Sequence, residues 1–362
     1  MTQKQFLSCS TLLGWWLLSS CNLPDRTSGP EDKPAARGVY ETGKEQRGLV
    51  LATESALTLP PAKVALILKA TTEKDSALTK LTCKNFILSE NGEKISALES
   101  AFRVQNPPKD FRMSVLLVLD LSGSVVDSTL GMLKIAAQSF VDKLFRDPVS
   151  SNLSLGIYWF DGGAHINSLV QFTAVKPQLD GAIAAIDAVL SRDRSTNLYG
   201  AVIEGVTLLK TETQKLKPPF VSHGALVLFT DGTDRAARFT REKAQSAVDS
   251  NRPRISSYTI GLGQEIAAEH LGALGRDGFA YADGLEQING KFEEIATHIL
   301  NGIKTRYYVE YCSPKRSGRH KLTVAAFDSS AHIHKGYGAI TLSFSADGFE
   351  GGCTLEGEKC PK

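Results

Sequence analysis

Past its N-terminal residues the chain lacks any apolar run long enough to cross a bilayer. It also lacks a net charge of consequence. Lys and Arg number 41 against 39 Asp and Glu, a formal +2, and no Lys/Arg run concentrates the excess. That removes the electrostatic footprint of a nucleic-acid binder. Cysteine is sparse, at 6, with no C-x-x-C pair to suggest zinc. No G-x-S-x-G elbow is present, no internal repeat is visible, and His165, His223, His270 and His298 are scattered. His332-Ile-His334 has no third ligand beside it. What remains is a globular composition, 42% hydrophobic and 22% charged, over 362 residues, enough for two domains.

The N-terminus is organised. Lys4 precedes an apolar core from Thr11 to Leu18, and small residues follow up to Cys21. Residues 1–20 read as a secretory signal. Leu18-Ser19-Ser20-Cys21 also resembles a bacterial lipobox, which implies Cys21 as a lipidated first residue. The chain is then expected in the bacterial cell envelope, lipid-anchored at a membrane, in the periplasm or on the surface. An ordinary signal with an incidental Cys is the alternative. Cys9 would leave with the signal. Cys83, Cys312, Cys353 and Cys360 form an even set suited to two disulfides in an oxidising compartment. Sequence alone does not choose among the pairings. Cys312 with Cys353 is favoured, because both flank one β region.

Residues 21–60 are rich in Pro, Gly and charge and predict a flexible tether. From Lys63 the pattern becomes that of strands: Val64, Leu66 and Leu68 alternate, then Phe86 and Leu88, with an Asn91-Gly92 hairpin signal. Strands return after Thr305. Residues 61–110 and 305–346 together predict one discontinuous β-sandwich, since each half alone would bury too little apolar surface. Residues 347–362 read as a Cys-containing loop. Between them, residues 111–304 alternate strands with helices and predict an α/β domain with a doubly wound, mostly parallel, Rossmann-like sheet. Helical periodicity runs through Leu130–Leu144, Leu179–Leu190, Leu198–Leu209 and Leu285–Ile299. Asp161-Gly162-Gly163 predicts a tight turn and hence one antiparallel hairpin. Gly261-Leu262-Gly263 resembles a fragment of a dinucleotide loop without its third glycine, and reads as a turn.

Three loops carry chemistry. The apolar run from Ser114 ends in Asp120-Leu121-Ser122-Gly123-Ser124. Ser195-Thr196-Asn197 precedes a helix, and Asp231-Gly232 follows the buried strand Ala225–Thr230. Open α/β sheets bind ligands at the carboxyl edge of their strands, so the three loops are expected to meet there. Hydroxyls and carboxylates are hard oxygen ligands, the donors of small divalent cations.

D-x-S-x-S, then an isolated Thr before Asn-Leu and a helix, then a strand ending in Thr-Asp-Gly, resembles a von Willebrand factor type A domain over roughly residues 112–304. The resemblance implies a metal-ion-dependent adhesion site. Ser122, Ser124 and Thr196 would coordinate through hydroxyls, and Asp120 and Asp231 directly or through water. Mg²⁺ is the expected cation, with Mn²⁺ or Ca²⁺ admitted. A protein partner would offer a carboxylate to the remaining position. Many relatives carry Gly-Gly before the Thr, whereas this chain has Arg194-Ser195. Asp127 sits where integrin-type relatives place an acid for a second cation, though a lone Asp near a helix start reads first as a cap. Asp234 reads as loop surface. Leu81 to Gly92 resembles the β-sandwich ahead of type A domains in some bacterial secreted proteins. The expectation is a non-enzymatic envelope lipoprotein with an adhesion or scaffolding role. The alternatives are an accessory structural protein with a non-functional site and a metal-dependent hydrolase. An aspartate-nucleophile phosphatase would want a second carboxylate where Ser122 stands.

Overall fold

The computed structural model describes residues 39–95, 102–217, 220–252, 254–263, 268–328, 336–356 and 360. The signal segment, Cys21 and the His332–His334 pair lie outside them. The first strands are β1 (Tyr40–Arg47), β2 (Leu49–Leu59), β3 (Lys63–Thr72), β4 (Phe86–Glu90), β5 (Glu93–Lys94) and β6 (Phe102–Gln105). Two of these correct the expectation of a tether reaching residue 60. Strand β1 is charged and exposed, as edge strands often are, so its composition mimics a linker. Strand β2 is mostly Thr, Ser and Ala beyond Leu51, yet it pairs with β3 along its length and buries Leu49 and Leu51 completely.

The chain then enters the inserted domain through β7 (Phe111–Asp120), α1 (Gly123–Ser128), α2 (Leu130–Arg146), β8 (Leu153–Phe160), β9 (Asn167–Thr173), α3 (Lys176–Ala184) and α4 (Leu198–Gln214). It continues through β10 (Val221–Thr230), α5 (Arg241–Asp249), β11 (Ile255–Leu262), α6 (Ala268–Leu274), β12 (Gly278–Ala282) and α7 (Leu285–Lys304). It leaves through β13 (Arg306–Cys312), β14 (Arg319–Asp328) and β15 (Gly336–Ser345).

The six inserted strands lie in the order β12-β11-β10-β7-β8-β9. All neighbours are parallel except β9, which runs antiparallel to β8. This is a doubly wound α/β sheet, and its winding reverses between β7 and β10. Strand β7 is buried on both faces. Val115, Leu117 and Leu119 pack with α2 and α7, while Leu116 and Val118 pack with α4. On α7, Ile288, Phe292, Ile295, Ile299 and Ile303 form one apolar stripe, and Phe292 meets Phe140 edge-on at 6.1 Å. Each such buried side chain contributes roughly 1.5–3 kcal/mol. The periodicity through Leu190 does not make one helix. Helix α3 stops at Ala184, and the Asp187 carboxylate accepts the Val189 N–H at 3.1 Å to open a separate 3-10 turn over Ala188–Leu190.

The sandwich joins the two ends of the chain. One sheet runs β1-β15-β14-β4-β5 and the other β2-β3-β13-β6. Strand β13, from after the insertion, lies between β3 and β6, from before it. Leu66, Leu68, Leu88, Tyr307, Val309, Val324, Ile340 and Phe344 share its core. Cys83 bonds Cys360 and Cys312 bonds Cys353, which ties the last segment to the 3-10 turn ahead of β4 and to the end of β13. Where insertion and sandwich meet, the Asn106 amide donates to the carbonyls of Lys304 and Arg306, so the entering and leaving strands are held together. Beside them Arg306 pairs with Glu54 at 2.9 Å, and His223 lies 3.5 Å from the same carboxylate, all nearly buried. Among the described residues no helix is long and apolar enough to cross a membrane.

Candidate metal centre at the sheet edge

Strand β7 ends in Asp120, whose side chain is 0% exposed. One carboxylate oxygen accepts the Ser122 N–H at 2.8 Å, and the other accepts the Thr230 hydroxyl at 2.6 Å. Burial is the largest influence on this acid and pushes it up to about 7. The Thr230 and Ser122 hydrogen bonds oppose the rise, and the charge of Asp231 adds to it. Ser122 is also buried. Its hydroxyl favours the charged Asp120 by proximity but makes no well-formed hydrogen bond of its own. Ser124, on the first turn of α1, donates to Asp231 at 2.9 Å and so joins the β7 loop to the β10 loop.

Thr196 is buried in the third loop. Its carbonyl accepts the N–H groups of Arg235 and Ala236 at 2.9 and 3.0 Å, which ties it to the segment after Asp231. The Gly123 N–H donates to the Arg194 carbonyl at 3.1 Å, which ties it to the β7 loop. Hydrogen bonds thus stitch all three loops together at the point where the winding reverses. Asp120, Ser122, Ser124, Thr196 and Asp231 all lie on this edge.

The supporting residues were less legible. Asp161, read only as part of a turn, is buried. It accepts the N–H groups of Gly163, Arg192 and Asp193 at 2.7, 2.9 and 3.0 Å, and so clamps the loop that carries Thr196. An Asp directly after a strand and before Gly-Gly was the available signal. Asp234 is not idle surface either, since it accepts the Tyr199 N–H at the start of α4 and the Ala237 N–H, both at 3.0 Å. Asn197 caps the same helix by accepting the Gly200 N–H at 3.2 Å. Asp127 neither caps α1, which starts from Ser122, nor stands free: the Arg194 guanidinium holds it. Gly261 lies within β11 beneath Leu271, where a Cβ would meet the Leu271 side chain at 2.3 Å, so this glycine serves packing. A cleft of about 290 Å³ opens beside the site, lined in part by Ser124, Thr129, Asp231, Leu262, Asp283 and Leu285.

Among the described residues no group of three or more His, Cys, Asp or Glu side chains is placed to hold a metal. The edge offers two carboxylates and three hydroxyls instead. A buried carboxylate without a cation and a buried hydroxyl without a proper partner are both costly. A small hard cation would satisfy both, so the residues fit one.

The family model of the von Willebrand factor type A domain matches residues 114–292. Inter-alpha-trypsin inhibitor heavy chain H3 of Mesocricetus auratus is 23% identical over 205 residues, covering 54% of this chain and 22% of that protein. The chain therefore spans about a fifth of that relative's length. A von Willebrand factor type A structure from Catenulispora acidiphila aligns with a TM-score of 0.44 at 11% identity, over 85% of this chain and 75% of that one. The pilus adhesin SpaC of Lactobacillus rhamnosus GG aligns with a TM-score of 0.44 at 10% identity, over 88% and 50%. The matched stretch begins in the central strand β7 and ends within α7, the span of the doubly wound sheet, and this region of the chain belongs to the von Willebrand factor type A family.

Proposed function

We propose that Asp120, Ser122, Ser124, Thr196 and Asp231 hold a divalent cation, Mg²⁺ first among them, and that the site binds a carboxylate of a protein partner in an adhesion or scaffolding role at the cell envelope. The observation that carries this reading is Asp120 beside Ser122: a buried carboxylate whose charge is influenced by no cationic side chain, next to a buried hydroxyl without a hydrogen-bond partner. Bound there, the cation would supply a Lewis-acidic position for an anionic ligand. The chain's own residues do the rest. Thr230 and the Ser122 N–H orient Asp120, and Ser124 orients Asp231. Asp161 fixes the loop of Thr196. With two carboxylates and three neutral hydroxyls in the set, the ligands balance a divalent cation without exceeding its charge, so it would stay electrophilic toward an anionic partner. Lipidation at Cys21 would place the site at the envelope.

Mg²⁺ titration by calorimetry on the full chain tests the site. The expected result is one site per chain, lost in Asp120→Ala while the thermal unfolding transition persists. Absence of any divalent-cation binding by the intact chain would leave only an accessory structural role. A pull-down from envelope extract, with and without chelator, then tests the partner, and capture indifferent to chelator would sink the adhesion reading.

A further inference from the structure

Arg194 lies two residues before Thr196, and its placement is specific. Its carbonyl accepts the Gly123 N–H at 3.1 Å. Its guanidinium lies flat against Gly123, so close that a Cβ there would fall 3.0 Å from both Nε and Nη2. Gly123 is the residue between Ser122 and Ser124. A cationic fork is therefore placed one residue from two of the hydroxyls of the site. Its partner is Asp127, one turn along α1 on the same side, which it grips through two nitrogens. The pair is open to water, with side chains 68% and 58% exposed. An exposed ion pair is weak and exchangeable.

We propose that Arg194 sets the specificity of the site: it takes a second carboxylate of the bound partner, so the site selects a diacidic segment rather than a lone acidic residue. This rests on the proposed metal-dependent binding of a carboxylate. Asp127 acts as an internal placeholder that occupies the fork until the partner's second acid replaces it. A planar guanidinium receives a carboxylate bidentately, which gives the exchange its geometry. The same guanidinium removes Asp127 from service as a ligand for a second cation.

The test uses the full chain with Mg²⁺ on an array of random short peptides, followed by affinities for selected peptides with one acid and with two. Wild type is expected to enrich peptides with a second Asp or Glu within a few residues of the first. Arg194→Gly should weaken the diacidic peptides about tenfold and leave the single-acid ones unchanged. Arg194→Lys, which keeps charge but loses the fork, should fall between. Asp127→Asn should strengthen the diacidic peptides, because it removes the internal competitor. Opposite signs for the two positions are essential. A merely structural Arg194, holding its loop through Asp127, would make both substitutions weaken binding alike. Mg²⁺-dependent peptides without enrichment for a second acid, or equal losses for both peptide classes, overturn this proposal and leave the metal-site reading intact. Absence of Mg²⁺ binding by calorimetry overturns both.

Discussion

Ser124 and Asp231 are joined by a 2.9 Å hydrogen bond across the position where the sheet reverses its winding. A residue on the first turn of α1 is thereby coupled to one just after β10. Removing either should cost the cation more than one ligand, since the survivor loses its orientation. Asp231→Ala and Ser124→Ala are each expected to weaken Mg²⁺ binding by roughly 10–100-fold. Calorimetry measures this, and an unchanged affinity in Asp231→Ala would remove that residue from the proposed set.

Asp161 offers a test at a distance from the site. Its carboxylate takes three backbone N–H groups from two loops. Asp161→Ala leaves these donors without their acceptor in a mostly buried place, at a cost of about 3 kcal/mol. Urea denaturation should show that loss. Mg²⁺ affinity should fall as well, because the clamp on the loop of Thr196 is gone. A variant with wild-type Mg²⁺ affinity would show that the loop holds its shape unaided.

Acid should weaken the junction between insertion and sandwich. Burial, outweighing the attraction of Glu54, lowers the His223 pKa from 6.5 to about 4. Burial raises Glu54, but Arg306 and His223 outweigh it and hold that acid below its ordinary 4.5. For His223 the unfolded chain binds the extra proton between these values, so stability falls as pH drops from 6.5 toward 4, by about 3 kcal/mol at the end of that window. The Glu54 contribution is present above 4.5 and is lost as pH falls through its depressed value, so both effects act in the same direction. Buried Asp120, pushed up to about 7, acts in the opposite direction over the same window. The His223 contribution is therefore the difference between wild type and His223→Phe in denaturation midpoints from pH 8 to pH 4: the variant should lose less stability in acid, and an equal pH dependence in the two would place the acid sensitivity elsewhere.

The disulfides should differ in weight. Cys83 and Cys360 are 277 residues apart, Cys312 and Cys353 only 41. Loop-closure entropy assigns the long link about 5.6 kcal/mol and the short one about 4. The paired Cys83→Ser and Cys360→Ser variant should therefore unfold at lower denaturant than the Cys312→Ser and Cys353→Ser variant. The reverse order would mean that strain or residual structure outweighs loop length.

Some of this was visible in the chain before any folding. The run into Asp120 could be placed as a buried strand because it is apolar on both faces. The stripe on α7 could be placed because its period is that of a helix. Strands β1 and β2 could not, because their residues are polar and their stability comes from pairing with β15 and β3, partners distant or indistinct in sequence. The end of α3 was hidden for a related reason: Asp187 caps a new turn within a continuing apolar period. Asp161, Asp234 and Thr230 were present in plain view, but an acceptor is defined by the donors around it. Those donors come from other loops.

The residue types at the edge and their order along the chain are written in the primary structure. It determined where two β halves flank an α/β body, because hydrophobic period is a local property of the chain. Which side chains touch came from the folded arrangement alone. It joined Cys83 to Cys360, brought Glu54 and Arg306 around His223, and laid the Arg194 guanidinium on Gly123 against Asp127. Such contacts depend on how separate elements close on one another in space, and no local pattern encodes that.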